Sequence, residues 1–131
     1  MVNRRGFMVR GATGLGAMAV MSSGMVEAAP PQTMSLNVIY PNHDGARFDT
    51  TYYRATHIPL AMKVMKADKV ILIEGVPMGT NPAPYAMIAH FQFASAAALQ
   101  AGLADPGMAG VRADVAKFTD IQPTVMLGKT V

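Results

Sequence analysis

The alternation of apolar and polar positions is clearest in YAMIAHFQF (residues 85–93), where Tyr85, Met87, Ala89, Phe91 and Phe93 fall on one side of a strand and Ala86, Ile88, His90 and Gln92 on the other. SLNVIYP (35–41), rich in β-branched and aromatic residues and closed by Pro41, predicts an earlier strand. DKVILIEGVP (68–77) predicts another, with Ile71 and Ile73 on one side and Val70, Leu72 and Val76 on the other. A fourth strand closes the chain in IQPTVMLGKTV (121–131), with Pro123 near its start, where a missing amide donor does least harm. Between the first two strands, TTYYRATHIPLAMKVMKA (50–67) follows a helical period that puts Tyr53, His57, Leu60 and Val64 on one face. Asp49 is placed to cap it, and Pro59 is expected to bend or split it just after His57. Ser95 caps a second helix, which Gly102 weakens and Asp105-Pro106-Gly107 stops, and MAGVRADVAKF (108–118) supplies a further helical segment.

The resulting order, β-α-β-β-α-β, is the ferredoxin-like arrangement of an α+β fold: a four-stranded antiparallel sheet with helices on one face. The strands, however, are apolar on both faces. Pairing two sheets face to face buries the second face and encloses a cavity between subunits, so the expected assembly is a homodimer, the alternative being a monomer with an unusually apolar exposed face.

Composition changes this picture mainly at the N-terminus. MVNRRGFMVR is followed by the uncharged run GATGLGAMAVMSSGM and by small residues suited to cleavage, the pattern of a targeting segment over residues 1–28. The pair Arg4-Arg5, with Phe7 two positions on, gives it a twin-arginine character. The expected organisation is a twin-arginine signal at 1–28, a short tether at 29–34 and one domain at 35–131, exported to the periplasm without lasting membrane insertion. With Arg4, Arg5, Arg10 and Glu27 set aside, the formal charge of +3 falls to +1, and no basic stripe points to nucleic acid. The absence of cysteine excludes disulfides, thiolate nucleophiles and Cys-ligated metals. No Gly-rich phosphate loop leads from a strand into a helix, and three scattered histidines form no metal signature.

Among candidate residues, His57 is the foremost for chemistry, because an imidazole moves protons in either direction near neutral pH. Its alternative role is to brace the helix at the proline. His90, beside Gln92, either lines the same cavity or sits at the dimer contact. Tyr40, Tyr52 and Tyr53 are candidates to bind, or deprotonate, a phenolic or carbonyl compound, with amphipathic packing as the alternative. Arg54 and Arg47 are candidates to recognise a carboxylate, with a solvated surface role as the alternative.

LNVIYPNHDGARFDTTYYRATHIPLAMKVM resembles the opening of EthD-type proteins, in which Tyr-Pro-Asn leads through Gly-Ala-Arg-Phe-Asp to Tyr-Tyr and Thr-His-x-Pro-Leu. Ala89-His90-Phe91 and the run Phe118-Thr119-Asp120-Ile121-Gln122-Pro123 are similar to that family's third and closing strands. One departure is LADPGMAG (103–110), where many members carry a histidine. The resemblance implies a dimeric α+β barrel and a reductase- or oxygenase-like label more firmly than any one reaction. The expected function is binding of a small apolar or aromatic oxygenated compound in the cavity enclosed by the dimer, with redox or isomerase chemistry that uses no bound cofactor, His57 as acid/base and Tyr53 and His90 in support. Haem, carried by relatives on the same barrel, is the cofactor alternative; a non-catalytic binding or accessory module is the functional one.

Overall fold

The computed structural model describes residues 32–131, so the leader assigned to residues 1–28 and the start of the tether lie outside the described residues. Four strands, β1 (Met34–Pro41), β2 (Lys69–Glu74), β3 (Tyr85–Phe93) and β4 (Thr124–Lys129), form one sheet in the order β2-β3-β1-β4 with every pairing antiparallel. The ferredoxin-like α+β expectation is met. β1 is flanked on both sides, and Pro41 falls where its register with β3 shifts, between Tyr40 and Pro41, so its missing donor interrupts no regular ladder.

Helix α1 runs continuously through three geometries: α over Thr50–Tyr52, π over Tyr53–His57, and α again over Ile58–Met65. Asp49 caps it as expected, accepting a hydrogen bond from the Tyr52 amide at 3.0 Å. Pro59 does not split the helix into two, but the geometry changes where it was expected to, from π over Tyr53–His57 to α from Ile58. The Ile58 amide reaches back to the Tyr53 carbonyl, and Ala55, whose carbonyl a proline at 59 leaves without its usual donor, lies inside the wide turn. This wide turn inserts one residue and rotates the helix face that follows. The buried stripe therefore continues from Tyr53 and His57 into Ile58, Ala61 and Met65, while Leu60 and Val64, expected on that face, are only partly buried.

Lys66 ends α1 in the left-handed region (φ 56°), closing on the Met62 carbonyl at 2.9 Å. Helix α2 (Ala96–Ala104) begins at Ser95, whose hydroxyl accepts from the Ala98 amide at 3.1 Å, and α3 (Met108–Asp114) runs into a short 3-10 turn at Val115–Lys117. The three helices cover the face of the sheet that carries Leu36, Tyr40, Met87, Ala89, Phe91 and Phe93. The alternation expected in β3 is confirmed on both faces, whereas Val76 lies beyond β2 and is exposed.

Gly102, read from sequence as a weak point of α2, is the residue that lets α2 approach α1. A Cβ there would stand 2.7 Å from the Met65 carbonyl oxygen, a backbone atom that cannot rotate aside. Gly102→Ala is therefore expected to destabilise the domain by about 1–3 kcal/mol, the usual range for overpacking, despite alanine's higher helix propensity. Urea denaturation measures this; an unchanged or raised midpoint would show that the two helices separate without penalty.

Candidate functional site

Two loops far apart in sequence hold the site together. The backbone of residues 47–49 is laced to the segment after α3: the Arg47 amide donates to Asp120 Oδ1 (2.8 Å), Thr119 Oγ1 donates to the Arg47 carbonyl (2.6 Å), and the Asp49 amide donates to the Phe118 carbonyl (2.7 Å). The Arg47 guanidinium adds a bond to the Ala116 carbonyl at 3.1 Å, and Phe48 bridges Thr119. Behind this clasp, Tyr40, Phe48, Tyr53 and Phe118 meet mostly edge to face, with centroids 4.9–5.9 Å apart. Such pairs contribute about 0.5–1.5 kcal/mol each beyond the area they bury.

The clasp sets the start of α1 against the end of α3, and three side chains meet there. His57 Nδ1 lies 2.9 Å from Asp114 Oδ2, and the Tyr52 hydroxyl donates to Asp114 Oδ1 at 2.7 Å. His57 and Asp114 are both buried. An ionised carboxylate only accepts, so the His57 proton resides on Nδ1 and the Nε2 lone pair is left available. Nε2 has no hydrogen-bond partner among the described residues. The ring is fixed between Tyr53, nearly parallel at 5.6 Å, and Phe118 at 4.5 Å. Burial pulls the His57 pKa below its ordinary value, against the opposing pull of Asp114, so the imidazole is neutral at neutral pH. Burial raises the Asp114 pKa, but the hydrogen bonds from Tyr52 and His57 outweigh it and hold the carboxyl below the usual range.

His57 forms part of the wall of an apolar cavity of about 180 Å³ between the sheet and the helices of a single subunit, together with Tyr40, Tyr53, Val38, Phe91 and Val111. The cavity adjoins a wider vestibule of about 530 Å³ bounded by Thr119, Asp120, Gln122 and Pro123. Burial pushes the Tyr40 phenol up to about 12, partly offset by its hydrogen bond with Tyr53, and burial together with Tyr40 raises Tyr53 further. Both phenols therefore stay protonated and are not bases, and since one hydroxyl hydrogen is used between them, the pair has one left to donate to a bound oxygen.

The residues singled out from sequence thus separate. Tyr40, Tyr53 and His57 share the cavity, and Tyr52 acts at one remove through Asp114. His90 does not join them. It lies on the opposite face of the sheet, with Nδ1 2.6 Å from Asn37 Oδ1 and Nε2 3.2 Å from Gln92 Nε2, so one cavity cannot hold both His57 and His90. Arg54 is exposed on α1 away from the cavity, and Arg47 is spent on the clasp. The sequence reading missed Asp114. Its signal was available: an acidic residue in MAGVRADVAKF three positions after Val111, on a helix whose other buried residues are apolar.

An EthD domain model matches residues 45–122. Among solved structures, the chain is similar to an EthD-like protein of Ralstonia eutropha JMP134 (26% identity over 77% of this chain and 94% of that one, TM-score 0.71). It is also similar to an ethyl tert-butyl ether D (EthD) family protein of Bacillus halodurans C-125 (17% identity, 76% and 99% covered, TM-score 0.61). A protein of unknown function from Nitrosomonas europaea shares the fold at 17% identity, 79% and 93% covered, with a TM-score of 0.53. No curated protein matches the chain.

The buried pair makes stability depend on pH. Because the His57 pKa is lowered in the folded state, the unfolded chain binds more protons between that value and about 6.5, and stability rises with pH across the window. The contribution is complete above about pH 6.5 and is lost as pH falls through the folded value. Urea midpoints are expected to drop between pH 7.5 and pH 5.5, with a smaller drop in His57→Gln. Asp114→Asn leaves one oxygen to satisfy two donors and is expected to destabilise by about 1–3 kcal/mol. An equal pH dependence in wild type and His57→Gln would show that His57 does not titrate against folding.

Proposed function

The chain belongs to the EthD family, and on that footing we propose that it binds a small apolar or aromatic compound bearing a carbonyl or phenolic oxygen and moves a proton on it, with His57 Nε2 as the base. The hydrogen bond between buried His57 and Asp114 at the wall of an apolar cavity is the observation that carries this reading. Asp114 fixes the tautomer and stabilises the imidazolium that forms when Nε2 takes a proton. The hydrogen-bonded phenol pair of Tyr40 and Tyr53 supplies one neutral donor on the same wall, suited to an oxygen that gains negative charge as the proton leaves. Abstraction beside a carbonyl followed by reprotonation at another carbon is an isomerisation, which balances without an added oxidant or reductant. The cavity volume suits one ring and a short substituent; a dry cavity of about 150 Å³ holds benzene.

The twin-arginine leader read at residues 1–28 puts this activity in the periplasm. The same reading has two copies pairing through the uncovered sheet face, where Ile71 (42% exposed), Ile73 (52%) and Met126 (54%) surround a polar row. That row is partly satisfied within the subunit, since Asn37 bonds His90 and Ser35, and Gln92 bonds His90, which lowers the cost of covering it with a partner.

The direct test is deuterium exchange at the carbons flanking the ketone of 2-indanone, a compact neutral ketone fused to an aromatic ring, followed by NMR in D2O. The protein is expected to accelerate exchange, and His57→Gln to lower the protein-dependent rate by about 10²–10⁴-fold while remaining folded. Full exchange activity in folded His57→Gln would remove the base assignment; saturable binding without exchange in the wild type would favour the non-catalytic module. For the assembly, light scattering after gel filtration is expected to give two chains per particle, and one for Ile73→Glu. A wild-type mass of one chain would end the dimer proposal.

A further inference from the structure

The helix that carries Asp114 also brings a cation to the cavity. Residues Met108, Val111, Arg112 and Val115 of the α3 segment follow the i, i+3, i+4, i+7 spacing of a single helix face, and all four line the apolar cavity. Three are apolar, as a cavity wall requires. The fourth is arginine, which also borders the vestibule outside, and so stands where the apolar space meets water. Arg112 is exposed, so its charge stays hydrated, and among the described residues that line the cavity it is the only charged side chain besides the titratable His57. Among the described residues it forms no salt bridge, in contrast to His43, which lies 3.6 Å from Asp120, and Lys117, which lies 3.8 Å from Asp114.

Asp120 is the carboxylate that shares the vestibule with Arg112. It is already engaged, accepting from the Arg47 amide and facing His43, and the bond from the Arg47 backbone holds its pKa below the usual range. The vestibule therefore presents one committed anion and one uncommitted cation. Arg47 and Arg54, the arginines that the sequence suggested for carboxylate recognition, lie outside both spaces.

We propose that Arg112 is the specificity-determining residue of this cavity and that its ligands are acids: compounds with an apolar or aryl body, a carbonyl within reach of His57, and a carboxylate held by Arg112 at the mouth. The inference rests on the cavity being the binding site. The apolar body fills the inner space, where a charge would be desolvated, while the carboxylate stays at the rim, paired with a guanidinium whose fork matches its geometry. Binding then also fixes direction, because an acid can enter only with its anionic end outward, which keeps the carboxylate at the mouth and the carbonyl-bearing body on the side of Nε2.

The test compares 3-benzoylpropanoate with its primary amide, 3-benzoylpropanamide, by calorimetry on the whole mature protein. The two probes share body and ketone and differ in charge. Wild type is expected to bind the acid about tenfold more tightly than the amide, as one charge-assisted pair supplies, with the ratio narrowing as salt is raised. In Arg112→Gln the ratio is expected to fall to within about twofold, and Arg112→Lys to retain part of the preference. Equal affinity of the two probes for the wild type, binding of neither, or a ratio that survives in Arg112→Gln would overturn the proposal. Exchange into 2-indanone by the wild type, which carries no acid, is scored separately: if it persists while the acid preference is absent, Arg112 fails and His57 stands.

Discussion

The structure turns on one expensive decision, the burial of a carboxylate. Asp114 is almost wholly removed from solvent, and an isolated ionised carboxylate in that position would cost several kcal/mol. It is tolerated because two donors from α1, the Tyr52 hydroxyl and His57 Nδ1, meet its two oxygens. That solution requires α1 and α3 to be fixed relative to one another with little play. The clasp between residues 47–49 and 116–120 provides this, and the aromatic cluster of Tyr40, Phe48, Tyr53 and Phe118 fills the space behind it. The segments that carry the family resemblance, Gly-Ala-Arg-Phe-Asp and Phe-Thr-Asp-Ile-Gln-Pro, are thus largely the two halves of this clasp. Their chemistry is structural, and the site depends on it.

The π-turn is the second constraint. Tyr53 and His57 lie one turn apart and stack almost in parallel, and both must face the cavity. The wide turn over Tyr53–His57 allows this and then advances the helix by one residue, so that Ile58, Ala61 and Met65 continue the buried stripe. A regular α-helix would have carried Leu60 and Val64 inward instead, leaving Ala61 and Met65 off the core face. π-turns of this kind occur frequently at functional positions, and here the distortion falls on the residues that form the candidate site.

Much of the fold was legible because it follows from local periodicity. Period-two alternation identified β3 to its ends, Asp49 and Ser95 announced the two helix starts, and the order of elements led to the sheet topology. The misses share a physical cause, namely dependence on a contact distant in sequence. The phase of α1 after His57 depends on a wide turn whose presence near Pro59 was signalled but whose one-residue advance was not. Gly102 reads as a defect until the Met65 carbonyl is seen beside it. His57 and His90 look alike in sequence, but the former is on a helix over one sheet face and the latter on a strand facing the other way. Asp114 was overlooked because its meaning lies entirely in partners 57 and 62 positions away.

The distribution of proton affinities on the cavity wall narrows the chemistry further. A site with several groups near neutral pKa can exchange protons among them, and the direction of transfer is then set by the substrate. This wall is different. Burial raises Tyr40 and Tyr53 so far that they stay protonated, and it lowers His57 so that the imidazole stays neutral. The wall therefore offers one acceptor, His57 Nε2, and one donor from the hydrogen-bonded phenol pair, each of fixed role. Asp114 reinforces the asymmetry, because it stabilises His57 most strongly once Nε2 is protonated, when both partners carry charge in a dry setting. The environment that disfavours a resting imidazolium is thus offset only as a proton arrives, and a neighbouring phenol can meet the oxygen that becomes negative in the same step. Under the proposed function, these roles suit the removal of a proton from a neutral carbon acid, with the reverse step following by the same atoms.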